Sequence, residues 1–323
     1  MAWKKGDELH DQRYTIERQL GKGNCDITYL ANTRQGKRLV IKTVSDELLK
    51  QLGKRSRERL QEKFLQESVK LARYRHPHIV RVKEPFLEGE QVCIAMEYVA
   101  GVDLASHTQN KLPQKEALRY IQQIGEALKV VHADNLVHRD VKPRNIILRG
   151  GKQDAVLIDF GLVRGFNNPL TTINDDTADG FDSLELYQTG AKLEACTDIY
   201  SLAATLYFLL TGKEPPSAMD RSLGNAQLQP PKEINSEVSD RVNQAILEGM
   251  ALAVEDRPQE MQQWLDLLGL KPVTAKPWSN WNMMTWLAIV GTITVGLGAA
   301  IWIVFKPPVS PSPNPQSQSQ LIK

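Results

Sequence analysis

The hydrophobic period of this chain changes once, and that change restricts the folds open to it. Tyr14–Leu20, Thr28–Ala31, Arg38–Lys42 and Val92–Met96 are short runs, rich in β-branched and aromatic residues and bounded by turns. They predict strands. Between them, Asp46 to Arg75 is long, charged and helix-prone. From Pro113 onward the period is that of a helix, with Ala117, Tyr120, Ile121, Ile124, Leu128 and Val131 on one face. A strand-rich small lobe followed by a helix-rich large lobe is an α+β arrangement.

A second division lies near the C-terminus. Lys271-Pro-Val-Thr-Ala-Lys-Pro277 carries two prolines, which end any preceding helix. From Trp278 to Phe305 there is no Asp, Glu, Lys, Arg or His. Met283 to Phe305, at 1.5 Å per residue, gives roughly 34 Å of helix, enough to cross a bilayer. Trp278, Trp281 and Trp286 at one end and Trp302 at the other suit the two interfaces. The expected organisation is an N-terminal arm over 1–12, a folded domain over 13–270 and a juxtamembrane linker over 271–282. A transmembrane helix over 283–305 and a disordered Pro/Ser/Gln tail over 306–323 complete it.

Composition bears on location and partners. The net charge of +2 gives no electrostatic reason to expect nucleic acid. Cys25, Cys93 and Cys196 are odd in number and far apart, which fits a reducing compartment rather than a disulfide scaffold. The N-terminus has no apolar core of a signal peptide, so none is expected. The positive-inside rule does not decide orientation, because lysines flank both ends of the span. Unpaired cysteines suit the inner side of a membrane, so the expected location is the cell membrane with the folded domain in the cytoplasm. Gly296 and Ala300 form a small-xxx-small step that would allow a homodimer.

The chemistry-bearing residues occur in a fixed order. Gly21-Lys-Gly23 follows the first strand, and Lys42 ends Val40-Ile-Lys42. Glu67 lies within Phe64-Leu-Gln-Glu67, on the charged helix. His138-Arg-Asp140-Val-Lys142-Pro-Arg-Asn145 is followed, after a strand, by Leu157-Ile-Asp159-Phe-Gly161. Together these resemble the eukaryotic-like bacterial serine/threonine protein kinases over about residues 10 to 268. The resemblance implies a bilobal kinase fold, with ATP and Mg²⁺ (or Mn²⁺) as cofactors and protein Ser/Thr hydroxyls as acceptors.

Residue by residue, it implies that Lys42 holds the ATP α/β-phosphates and is oriented by an ion pair with Glu67. Asp159 and Asn145 would bind the metal. Asp140 would accept or orient the substrate proton, and Lys142 would contact the γ-phosphate, a serine/threonine pattern. Glu97 to Val99 resemble the hinge whose backbone reads adenine, and Asp103 stands where the family often bonds ribose. Asp198 would brace the catalytic loop, and Glu185 with Arg257 would close the large lobe by a buried ion pair. Arg139 suggests an activation segment that pairs with it when phosphorylated, with Thr171, Thr172 and Thr177 as candidates.

Four positions depart from the family pattern. Asp26 replaces the third glycine of the phosphate loop, where a carboxylate is expected to repel triphosphate. Leu184 replaces the proline before Glu185, Ala178 a threonine, and Ala203 a small glycine. The metal and charge set is intact, so an active kinase that also phosphorylates itself is the leading reading. The alternative is a pseudokinase, a membrane-bound nucleotide-binding scaffold.

Overall fold

The computed structural model describes residues 3–23, 25–108, 110–150, 154–164 and 179–272. The small lobe is an antiparallel sheet in the order β1-β2-β3-β4-β6-β5. Its strands are β1 (Glu8–Leu9), β2 (Tyr14–Lys22), β3 (Asp26–Thr33), β4 (Arg38–Val44), β5 (Val82–Glu88) and β6 (Gln91–Glu97). Alternation decides its buried face: Tyr14, Ile16, Ile27, Tyr29, Leu39 and Ile41 are all core residues. The N-terminal arm is not free of this sheet, since Glu8 and Leu9 pair with Thr15 and Tyr14. Leu9 is buried, and Trp3 packs on Tyr29 with ring centroids 5.1 Å apart.

The segment 46–75 is two helices, α1 (Asp46–Gln51) and α2 (Lys54–Leu71), rather than one. Ser45 caps the first through Leu48 N–H, and extended Gly53 starts the second. Helix α2 turns Leu60, Phe64, Glu67, Ser68 and Leu71 inward. Strand β5 carries Pro85, which is tolerated because β5 is the sheet edge.

The large lobe opens with a small sheet of β7 (Gly101–Asp103), β8 (Ile146–Arg149) and β9 (Ala155–Leu157). Its helices are α3 (Leu104–His107), α4 (Gln114–His132), α5 (Ala195–Thr211), α6 (Ala218–Ser222), α7 (Pro231–Ile234), α8 (Asp240–Gly249) and α9 (Met261–Leu267). All six predicted face residues of α4 are buried. Helix α5 is buried on nearly every side and forms the lobe's centre. There Ala203 is accommodated because its neighbour is Gly249: a Cβ on Gly249 would lie 2.7 Å from the Ala203 methyl.

Among the described residues no helix is long and apolar enough to cross a membrane. The expected span over 283–305, most of the linker and the tail lie outside the described residues.

Candidate active site

The catalytic loop runs from the end of α4 to β8 and is held from below by one buried carboxylate. Asp198, near the start of α5, accepts from the backbone N–H of His138 at 2.8 Å and of Arg139 at 2.9 Å. His132 Nε2 lies 2.8 Å from the same carboxylate. These contacts hold Arg139 in the left-handed region, φ 68°, which a side chain adopts only at a cost. The buried His138 ring packs on Phe160 at 4.3 Å and bonds the Ile158 carbonyl at 3.0 Å. The metal loop is thereby fixed to the catalytic loop.

Three side chains converge on Asp140. Asn145, on a short 3₁₀ turn, donates its amide to the Asp140 carboxylate and carbonyl, both at 2.8 Å. Lys142 Nζ and Arg164 Nη1 each lie 3.0 Å from Asp140 Oδ1. Burial pushes this carboxyl up, but the two cations outweigh it and hold it down at about 2. The two cations thus favour the ionised form of Asp140. Lys142 also pairs with Asp179 at 3.3 Å, and its proton affinity is raised because its two carboxylate partners overcome its burial.

Lys42 lies on β4 at the floor of the small lobe, with only 3% of its side chain exposed. It pairs with Asp159 and with Asp26, the latter at 2.8 Å, and donates to the Phe160 carbonyl at 3.2 Å. Burial opposes its charge, yet Asp159 and Asp26 raise its affinity for the proton above the ordinary lysine value. Asp159 is the second strained residue of the site, with φ 59°.

The expected Lys42–Glu67 ion pair is not formed. Glu67 instead accepts from both terminal guanidinium nitrogens of Arg139, at 2.9 and 3.0 Å. The left-handed turn at Arg139 aims a rigid two-pronged donor at α2, while Lys42, a point charge, is satisfied closer by on its own sheet and on the metal loop. Asp26 also differs from expectation. It lies on β3, diagonal to Lys42, because Asp26 pairs with Val44 and Thr28 with Lys42. Its carboxylate balances the charge of Lys42 rather than facing an open loop. Burial pushes the Asp26 carboxyl upward against the pull of Lys42.

Glu97 ends β6, and Val99 follows it closely. The Glu97 carboxylate is engaged by Arg149 at 3.1 Å and the Arg81 N–H at 3.1 Å, and the Glu97 N–H bonds the Arg81 carbonyl at 2.9 Å, so this residue braces the segment that leads to Val99. Asp103 caps α3, accepting from Ser106 N–H at 2.8 Å and its hydroxyl at 2.7 Å. Gly21 lies near the end of β2, paired with Thr28, and Gly23 opens the β2–β3 turn, where its N–H bonds the Asp26 carbonyl at 2.9 Å. Thr171, Thr172, Thr177 and Ala178 lie outside the described residues.

The catalytic and metal loops offer two oxygen donors, the Asp159 carboxylate and the Asn145 amide oxygen. Hard oxygen donors in such a small number suit Mg²⁺, which keeps several waters and is completed by phosphate oxygens. Among the described residues no cluster of three or more His, Cys, Asp or Glu could hold a metal unaided.

A family model for the protein kinase domain matches residues 14–266. This chain belongs to the protein kinase family. The kinase domain is 30% identical over 266 residues, 79% of this chain, to a probable serine/threonine-protein kinase of Clostridium acetobutylicum. It is 31% identical over 214 residues, 63% of this chain, to serine/threonine-protein kinase PkaB of Streptomyces coelicolor. The chain spans 39% and 49% of those two relatives' lengths. Among solved structures, the PknI kinase domain of Mycobacterium tuberculosis is similar at 26% identity and a TM-score of 0.64. That match covers 83% of this chain and 100% of that one.

Within this kinase domain the Glu185–Arg257 pair forms as expected, at 2.7 and 3.0 Å, with Thr197 donating to Glu185 at 2.9 Å. Sequence reasoning missed Arg164. It joins Asp140 to Asp182, 2.9 Å away, and burial raises the Asp182 carboxyl well above its ordinary value despite that pair. Arg164 stands three residues after Gly161 with no motif of its own, so only the fold could reveal it.

Proposed function

We propose that this chain is a serine/threonine protein kinase that transfers the ATP γ-phosphate to protein hydroxyls, itself included. The observation that carries the reading is the convergence of Asp140, Lys142 and Asn145 on one loop, locked by His138 and Phe160 to the loop bearing Asp159. Phosphoryl transfer leaves the protein mainly positioning and charge neutralisation. Asp140, ionised and held by Asn145, is aimed to take the hydrogen bond of an attacking Ser or Thr hydroxyl. Lys142, 3.0 Å from Asp140, places a cation where the transferred group would pass. Asp159 and Asn145 would hold Mg²⁺, which when bound neutralises phosphate charge. The backbone from Glu97 to Val99 would read adenine, and Asp103 would reach ribose only beside its capping bonds.

A membrane anchor over 283–305, with the kinase domain on the cytoplasmic side of the cell membrane, belongs to the same proposal. It rests on the charge-free run and its flanking tryptophans. The Gly296/Ala300 step supports pairing of two such helices, and Thr171, Thr172 and Thr177 are proposed phosphate acceptors. A pseudokinase is the second reading, favoured by the seating of Asp26 on Lys42. The test is phosphoamino-acid analysis after incubating the full-length chain with γ-labelled ATP and Mg²⁺. Phosphoserine or phosphothreonine, lost in Asp159→Ala, supports the kinase. Label confined to tyrosine or to small molecules contradicts it. For the anchor, terminal tags on intact cells should resist protease at the N-terminus, and recovery of the full-length chain in the soluble fraction would refute it.

A further inference from the structure

We propose that Asp26 is a tethered substitute for a nucleotide phosphate, so that ADP and ATP reach Lys42 by displacing a side chain of the protein itself. The inference rests on the kinase reading and concerns a positioning residue that acts through Lys42. A lysine ammonium has three N–H donors. Here all three have acceptors: Asp26 at 2.8 Å, Asp159, and the Phe160 carbonyl at 3.2 Å. A phosphate oxygen can therefore bond Lys42 only by removing one of them.

The three are not equally replaceable. The Phe160 carbonyl is backbone, held by the packing of the Phe160 ring on His138. Asp159 sits in the metal loop, in a conformation fixed by the Gly161 N–H bond to the His138 carbonyl at 2.9 Å. Asp26 is at the free end of β3, beside the glycine turn, with 24% of its side chain exposed. It is the partner that can swing away at least cost.

The turn itself is closed in the same way. Gly23 N–H, on the loop expected to cradle phosphates, bonds the Asp26 carbonyl at 2.9 Å, and the Cys25 carbonyl takes the Ser45 N–H at 2.9 Å. Asp26 thus engages both the lysine and a backbone donor of the loop. A family glycine at this position would offer Lys42 no such carboxylate. The consequence is selective: the penalty falls on ligands with phosphates and spares the adenosine moiety.

The experiment compares full-length wild type, Asp26→Asn and Asp26→Ala in equilibrium binding to adenosine, ADP and ATP. Removing a charged hydrogen-bond competitor is expected to tighten ADP and ATP by about tenfold. Adenosine affinity should stay within about twofold, because no phosphate competes. Equal tightening of all three ligands would show a loosened loop and overturn the inference, as would unchanged or weakened ADP binding. Wild type and variants that bind no adenine nucleotide at all would overturn the kinase reading together with this one.

Discussion

Replacing Arg257 by Met should be among the most destabilising single changes outside the apolar core. Arg257 and Glu185 are 3% and 6% exposed, and their contact is bidentate at 2.7 and 3.0 Å. The guanidinium also serves the carbonyls of Ala251 at 2.8 Å, Leu252 at 2.9 Å and Cys196 at 3.3 Å, and lies 5.1 Å over the Tyr200 ring. The variant leaves a buried carboxylate with Thr197 as its remaining side-chain donor. Breaking a buried pair from one side costs about 3–5 kcal/mol, a large part of the ~5–15 kcal/mol that holds a typical domain together. Urea unfolding of a fragment ending at Ala275, followed by circular dichroism, measures the loss. Arg257→Met combined with Glu185→Gln should cost less than the two singles summed, by about 1–3 kcal/mol, since the second change removes the stranded charge. A loss under about 1 kcal/mol in the single variant, or strict additivity, would refute the reasoning.

Lys42→Met and Asp140→Asn should each lower autophosphorylation by about 10²–10⁴-fold with circular dichroism unchanged; near wild-type turnover in either would remove that residue from the site. Burial lowers the His76 ring to about 4, below the ordinary 6.5, and its Nδ1 faces the His78 N–H at 3.3 Å. The unfolded chain then binds the extra proton, so this contribution is full above pH 6.5 and is lost as pH falls towards 4. His76→Asn should flatten the stability curve across that window by about 1 kcal/mol, after allowing for a half-buried ring, in urea titrations at about pH 7 and pH 4.5. Gly249→Ala should cost about 1–3 kcal/mol, because the new methyl meets Ala203 and the Trp264 indole nitrogen, both at 2.7 Å. Adding Ala203→Gly should recover part of that loss, and no recovery would place the clash at Trp264 alone.

The fold was legible where period and chemistry agreed. The strand runs predicted within β2, β3, β4 and β6 formed as strands and the predicted face of α4 is buried, and the catalytic and metal loops lie together as their order implied. Strand β5 was not legible because Pro85 breaks the strand pattern, and only its edge position makes that harmless. The break at Gly53 was masked by the charged, helix-prone residues on both sides.

Within the site, the residues were legible and their pairing was not. Lys42, Glu67, Arg139 and Asp26 are four charges whose partners depend on register and on one left-handed turn. The diagonal placement of Asp26 and φ 68° at Arg139 decide the outcome, and neither is written in residue spacing. Arg164 shows the same limit, since a lone arginine after Gly161 acquires meaning only beside Asp140 and Asp182.

The claim that these charges serve phosphoryl transfer rather than nucleotide sensing is met most directly by one paired measurement. Full-length wild type and Asp159→Ala would be followed for Mg²⁺-dependent transfer of the γ-phosphate, with ATP binding recorded on the same samples. A kinase of this geometry should transfer phosphate in the wild type only with Mg²⁺ and lose transfer in the variant. Wild type that binds ATP with Mg²⁺ yet transfers phosphate no faster than Asp159→Ala would contradict that claim.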